Sequence, residues 1–118
     1  MAWTVLVVDD HPAFRVSVRR LLELDGFVVV GEAADGESAL RLARELEPRL
    51  VLLDIGLPDR SGYEVAEELA GSGTRVVLVS SRAQSDLGRR VGESGALGFI
   101  AKEELSGESL LALLARAA

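Results

Sequence analysis

The chain has 118 residues, 48 % of them hydrophobic, with 13 basic against 19 acidic side chains and a net charge of −6. That length holds one domain with a real core and excludes two, while the apolar content excludes a disordered chain. An acidic chain with three Phe, one Trp, one Tyr and no basic stripe argues against direct nucleic-acid binding by this segment; the lack of Cys excludes disulfide and thiolate chemistry, as fits a cytoplasmic protein.

Five short runs rich in Val, Leu and Ile recur about every two dozen residues: Val5 to Val8, Phe27 to Val30, Leu50 to Leu53, Val76 to Val79 and Leu97 to Ala101. They lack clean alternation, as strands buried on both faces do, and all are far short of the roughly 20 residues that span a membrane. Helical spacing fills the intervals. The first helix opens near Pro12 and places Phe14, Val18, Leu21 and Leu22 on one face, with Arg15, Arg19 and Arg20 on the other. The second carries Ala39, Leu42, Ala43 and Leu46 and is closed by Pro48; the third runs from about Ser61 to Ala70 and ends at Gly71-Ser72-Gly73. The fourth, between Gln84 and Ser94, is the weakest, with only Leu87 and Val91 as large apolar residues and with Gly88 and Gly92 inside it. Each glycine there costs about 1 kcal/mol relative to alanine, so this element is expected to be the least stable. The last helix follows Ser106 as N-cap and carries Leu110, Leu111, Leu113 and Leu114.

A β-α unit repeated five times predicts an α/β fold: a doubly wound five-stranded parallel sheet of order 2-1-3-4-5, flavodoxin-like, with helices on both faces. The carboxyl ends of all five strands then share one edge, where such sheets bind their ligands. Asp9 and Asp10 follow the first run, Asp54 the third, Ser80 and Ser81 the fourth, and Lys102 the fifth. The predicted order makes the first and third strands neighbours, so the aspartates converge; the end of the second strand, Glu32 and Ala33, is expected to take no part. Three clustered carboxylates repel one another unless a cation answers them. Mg²⁺ (or Mn²⁺) suits oxygen ligands of this kind and, together with Lys102, would neutralise the cluster. One carboxylate could then serve as nucleophile toward a phosphoryl group while the others hold the metal and a lysine and hydroxyl contact the phosphoryl oxygens. This chemistry fits a signalling switch and an aspartyl-phosphate phosphohydrolase alike.

Val7-Val8-Asp9-Asp10, Leu53-Asp54-Ile55-Gly56-Leu57-Pro58, Val76 to Ser80, and Gly95-Ala96 leading to Phe99-Ile100-Ala101-Lys102 together resemble the receiver domain of bacterial two-component response regulators, over essentially the whole chain, 1–118. The resemblance implies that Asp54 is the phosphoacceptor. It further implies that Asp10, Asp54 and the backbone carbonyl of Gly56 bind Mg²⁺, with Asp9 acting through water. Lys102 would pair with the phosphoryl group, Ser80 would move toward it, and Phe99 occupies the place of the rotating aromatic switch. Asp10-His11-Pro12-Ala13-Phe14-Arg15 is similar to receivers that precede a LuxR-type helix-turn-helix output. The implied partners are a sensor histidine kinase and, on phosphorylation, a second copy of the chain. DNA would be reached only through an output domain outside these residues, and no membrane is involved.

Several positions depart from the family pattern. Ser80 stands where threonine is commoner and Ser81 where alanine is usual, so Ser81, Arg82 and Glu103 are read as possible neighbours of the site. Glu103 replaces a frequent proline, which predicts a trans Lys102–Glu103 bond or a rebuilt loop. His11 is read as a linker between the acid pair and the first helix, in preference to a metal ligand or phosphocarrier. Leu110 and Leu113 are candidates for an exposed association surface, with core packing as the alternative. A phosphohydrolase would want Asp-x-Asp after the first strand, and a flavin-binding module a phosphate loop there; the adjacent pair Asp9-Asp10 favours neither. A degenerate receiver would lack part of the set of Asp9, Asp10, Asp54, Ser80 and Lys102, all of which are present.

Overall fold

The computed structural model describes residues 2–81 and 87–117. Five strands, β1 (Thr4–Val8), β2 (Val28–Ala33), β3 (Leu50–Asp54), β4 (Arg75–Ser80) and β5 (Gly98–Ala101), pair in parallel in the order β2-β1-β3-β4-β5. Five helices alternate with them: α1 (Pro12–Leu24), α2 (Gly36–Leu46), α3 (Gly62–Gly71), α4 (Leu87–Ser94) and α5 (Gly107–Ala117). This is the architecture and strand order that the spacing of the apolar runs predicts.

Successive side chains of a strand point to opposite faces, so a sheet covered on both sides needs apolar residues at every position. Val5 and Val7 of β1 join Leu50, Leu52, Val77 and Val79 in one core, closed by Val18 and Leu22 of α1 and by Leu110, Leu113 and Leu114 of α5. Leu6 and Val8 join Val51, Leu53, Val76 and Leu78 in the other, closed by Ala39 and Ala43 of α2, Val65, Ala66 and Leu69 of α3, and Val91 of α4. The sheet is thus the shared wall of two cores.

Local chemistry sets the helix ends. Ser61 caps α3 by accepting from the Tyr63 N–H, and Ser106 Oγ accepts from Ser109 N–H ahead of α5, as its place in the sequence predicts. The α2 terminus carries two carboxylates: Asp35 accepts from Ser38 N–H, and Asp59, from the β3–α3 loop, accepts from the N–H groups of Gly36 and Glu37. Both answer the unpaired amides of a helix N-terminus. At the opposite edge of the sheet, Trp3 is stacked by the guanidinium of Arg49 at 4.2 Å and approached by that of Arg75 at 5.5 Å.

The structure decides between the two readings of Leu110 and Leu113 and gives two arginines of α1 a partner. Leu110 and Leu113 are buried in the core and form no association surface; Leu111 is the large apolar residue of α5 that faces solvent. Arg15 and Arg19, on the face of α1 opposite its apolar stripe, both reach Glu32 on β2, with Nε–O distances of 3.2 and 2.9 Å. The fourth helix is described only from Leu87, so the part of that prediction over 84–86 lies outside the described residues, as does Arg82. No helix among the described residues is long and apolar enough to cross a membrane.

Candidate functional site

Asp9 and Asp10 leave the carboxyl end of β1, Asp54 is the last residue of β3, Ser80 ends β4, and Lys102 follows β5. Because β1, β3, β4 and β5 are consecutive in the sheet, these side chains arrive at one edge. Asp9 is fully buried, and Asp54 and Ser80 are nearly so. One ligand atom from each of Asp9, Asp10, Asp54 and His11 lies within 4.8 Å of the others. His11, Asp54, Gly56, Ser80, Ser81 and Lys102 line a pocket of about 280 Å³ over this cluster. At about 30 Å³ per water, that is room for a phosphoryl group beside a hydrated cation.

Lys102 is the counter-charge inside the protein. Its Nζ lies 2.6 Å from Asp9 Oδ2 and 3.6 Å from Asp54 Oδ2, and 4.3 Å from the centre of the Phe14 ring. One ammonium bridging two buried carboxylates suits lysine, a compact point charge, better than the planar fork of arginine. It is the single lysine among 13 basic residues. After Lys102 the chain turns through one 3-10 turn, Lys102–Glu104, with no cis peptide bond among the described residues. Glu103 is exposed on that turn, beyond the pocket lining.

Burial and the negative charge of Asp9 raise the Asp54 pKa above the ordinary carboxylate value, outweighing Lys102 and the Gly56 N–H, which lower it. The Gly56 N–H donates to Asp54 Oδ1 at 3.3 Å. Below Asp54 the loop folds back on itself: Gly62 N–H donates to Ile55 O at 2.9 Å, and Gly56 pairs with Ser61. Gly62 must lack a side chain, since a Cβ there would stand 2.5 Å from the Asp54 carbonyl oxygen and 2.6 Å from Ile55 Cα. Phe99, on β5, is half-buried against the core that contains α3 and α4 and does not line the acidic pocket. Ser81 is exposed at the pocket's rim.

Two participants were not expected from sequence. Arg15 Nη1 donates to the backbone carbonyl of Asp9 at 2.6 Å while its Nε is held by Glu32, so the end of β2 does take part, by bracing Asp9 from behind. The i, i+4 spacing of Arg15 and Arg19 was the only sign of a shared target. His11, read as a linker, turns its ring onto the acid pair, with Nδ1 2.9 Å from Asp9 Oδ1 and 3.1 Å from Asp10 Oδ1.

A five-stranded 2-1-3-4-5 sheet with three acids and a lysine at its carboxyl edge is the arrangement of a receiver domain. The chain belongs to the response regulator receiver domain family, whose pattern matches residues 5–115. Such a domain is, in general, a switch of a two-component system and not an enzyme in its own right. BvgA of Bordetella pertussis, described as a candidate positive regulator of virulence-factor transcription, is 45 % identical over 102 residues, covering 85 % of this chain and 49 % of its own length. The chain therefore spans about half the length of that relative. A LuxR-family two-component response regulator from Aurantimonas is 33 % identical with a TM-score of 0.88, over 98 % of this chain and 85 % of that one. CheY in the CheX-CheY-BeF3-Mg complex of Borrelia burgdorferi is 25 % identical with a TM-score of 0.85, over 98 % of this chain and 88 % of that one.

Proposed function

We propose that residues 1–118 act as a receiver domain in which Asp54 accepts a phosphoryl group from a sensor histidine kinase. The observation that carries this reading is the convergence of Asp9, Asp10 and Asp54 within 4.8 Å, with Lys102 bridging Asp9 and Asp54. Asp10, Asp54 and the Gly56 carbonyl would hold Mg²⁺ (or Mn²⁺), with Asp9 through water. The Asp10 Oδ1 atom, buried without a hydrogen bond, fits a cation ligand, as do three oxygen donors of net negative charge. When bound, the cation supplies neutralisation of the phosphoryl oxygens.

The residues of the chain supply the rest. An Asp54 carboxylate oxygen forms the bond to phosphorus as the bond to the donor nitrogen breaks, and the leaving imidazole keeps the electron pair. Burial makes the Asp54 carboxylate poorly solvated and so reactive toward phosphorus. Lys102 binds more strongly on the Asp54 side, because the phosphoryl group adds charge there next to its ammonium. The Ser80 hydroxyl, at the end of the neighbouring strand β4, donates to a phosphoryl oxygen. Its movement frees space for Phe99 and alters the face of α4 and β5, which controls dimerisation or an output domain. An output that regulates transcription fits the LuxR-family likeness and the length of the relatives beyond this chain.

Incubation with acetyl phosphate or phosphoramidate and Mg²⁺, followed by intact-mass measurement, tests the reading. A labile phosphoryl adduct that is lost in Asp54→Asn is expected. No adduct with either donor would sink it and leave a receiver that works by partner binding alone; rapid turnover of unrelated phosphate esters would point to a phosphohydrolase.

A further inference from the structure

The loop that leads from Asp54 into α3 is closed at its base and pinned at its tip. At the base, Ile55 N–H donates to Val79 O at 3.1 Å, Gly62 N–H donates to Ile55 O at 2.9 Å, and Gly56 is bridged to Ser61. The tip reaches across to α2. There Asp59 Oδ1 accepts from the Gly36 N–H at 2.8 Å and Oδ2 from the Glu37 N–H at 3.0 Å. Gly36 is buried, and a Cβ on it would stand 2.8 Å from Arg60 Cγ and Cδ and 2.9 Å from Val65 Cγ2. Asp59 and Arg60 thus dock the loop on the start of α2, one by its carboxylate and the other by its apolar stem.

That start of α2 is anchored in turn to the other half of the pocket. Ala33, the last residue of β2, accepts from the Asp9 N–H at 3.0 Å, and Glu32 holds the Arg15 side chain that donates to the Asp9 carbonyl. Residues 32–37 therefore form a strut behind the pocket, with Asp9 at one end and the Asp54 loop at the other. Capping alone does not call for Asp59, because Asp35 already serves as N-cap by accepting from Ser38 N–H at 2.8 Å. A second carboxylate supplied from 23 residues further along the chain does more than complete a helix, since it ties that helix to the loop.

On this ground we infer that Asp59 is a positioning residue for phosphoryl acceptance: by pinning the tip of the β3–α3 loop to α2, it holds the Gly56 backbone where its carbonyl serves the pocket. The inference rests on the reading of that pocket proposed above. Gly56 has no side chain to anchor it, so the ties of the loop set where its carbonyl points. Groups that orient a ligand from outside contribute to affinity without touching the ion. Asp59 is exposed, so its side chain can be removed without opening the core.

The test compares Asp59→Ala with Asp35→Ala in the full chain. Each removes one carboxylate from the same helix end and should lower the Tm by about 3–6 °C, but only Asp59→Ala releases the loop. At a temperature where all the proteins are folded, Asp59→Ala is expected to lose about tenfold in Mg²⁺ affinity and in the rate of adduct formation with acetyl phosphate, while Asp35→Ala stays within about twofold of wild type. In the metal-free proteins, amide exchange at Gly62 should quicken in Asp59→Ala and not in Asp35→Ala. Asp59→Asn, whose amide oxygen still accepts from one N–H, should recover part of the loss. Equal Mg²⁺ affinity, adduct rate and Gly62 exchange in the two alanine variants, with wild type binding Mg²⁺ and phosphorylated, would overturn the positioning role alone and leave Asp59 a helix cap. A wild type that binds no Mg²⁺ and forms no adduct would overturn the reading of the pocket and this inference with it.

Discussion

Replacing Gly62 by alanine places a methyl group against the backbone that carries Asp54. The added carbon would stand 2.5 Å from the Asp54 carbonyl oxygen, 2.6 Å from Ile55 Cα and 3.0 Å from Ile55 O, where ordinary contact begins near 3.4 Å. The loop must therefore open by about 0.9 Å at its tightest point. No flexible side chain can yield, because all three atoms are backbone. Overpacking of this kind costs about 1–3 kcal/mol, against which the helical preference of alanine returns less than about 1 kcal/mol at the first residue of α3. A net loss of about 1–2 kcal/mol lowers the Tm of a domain of this size by roughly 3–10 °C. The shift also falls on the Gly56 carbonyl and the Asp54 carboxylate, so Mg²⁺ affinity and the rate of adduct formation with acetyl phosphate should both drop. Gly71→Ala is the internal control. It lies in the same helix, has nothing within 4 Å of the added carbon, and should be neutral or slightly stabilising. Thermal unfolding by circular dichroism, Mg²⁺ titration and intact-mass kinetics measure the three quantities. A Gly62→Ala protein as stable and as readily phosphorylated as Gly71→Ala would refute the close-approach reasoning.

Three further outcomes follow from the site. Because the Asp54 pKa is raised, first by burial and then by Asp9, the folded state holds that proton more tightly than the unfolded chain, and stability falls as the pH rises from 3.8 through the raised value. Asp54→Asn should thus be more stable than wild type in chelator at neutral pH, equal to it below pH 3.8, and lose its advantage when Mg²⁺ near 100 Kd adds about 2.7 kcal/mol to wild type; pH-resolved denaturant melts check this. Lys102→Arg keeps the charge but not the point geometry between Asp9 and Asp54, so phosphorylation should slow by about tenfold or more with little change in Tm; a fully active variant would contradict the reading of the lone lysine. The Gly36 N–H, ahead of the Glu37 N–H, lowers the Asp59 pKa, so its support of α2 is complete above pH 3.8 and is lost as the pH falls through the lowered value. The Tm gap between wild type and Asp59→Ala should be open at neutral pH and close in acid.

The sheet was legible because burial on both faces leaves a strong trace: short apolar runs at even spacing, four of which end in a polar residue that marks the ligand edge. Val5 to Val8 followed by Asp9 and Leu50 to Leu53 followed by Asp54 carried both fold and site. Arg15 was not legible as a brace, because its target, the Asp9 carbonyl, is set by how α1 crosses β1 and β2, and its partner Glu32 lies 17 residues away. His11 escaped for a related reason: its value lies in where the ring points, which one torsion decides. Leu110 and Leu113 show the limit of periodicity. Helix α5 is apolar over most of its girth, and only packing against the sheet decides that Leu111 is the residue left outside.

Trp3, wedged between Arg49 and Arg75 at the amino edge of the sheet, sits at the far end of the strands from the acidic pocket. It is the only tryptophan in the chain. Its emission consequently reports the integrity of that edge and is blind to events around Asp54. Intrinsic fluorescence becomes a reporter of global unfolding that metal binding and phosphorylation leave in place, so stability and occupancy can be read from one sample through separate channels.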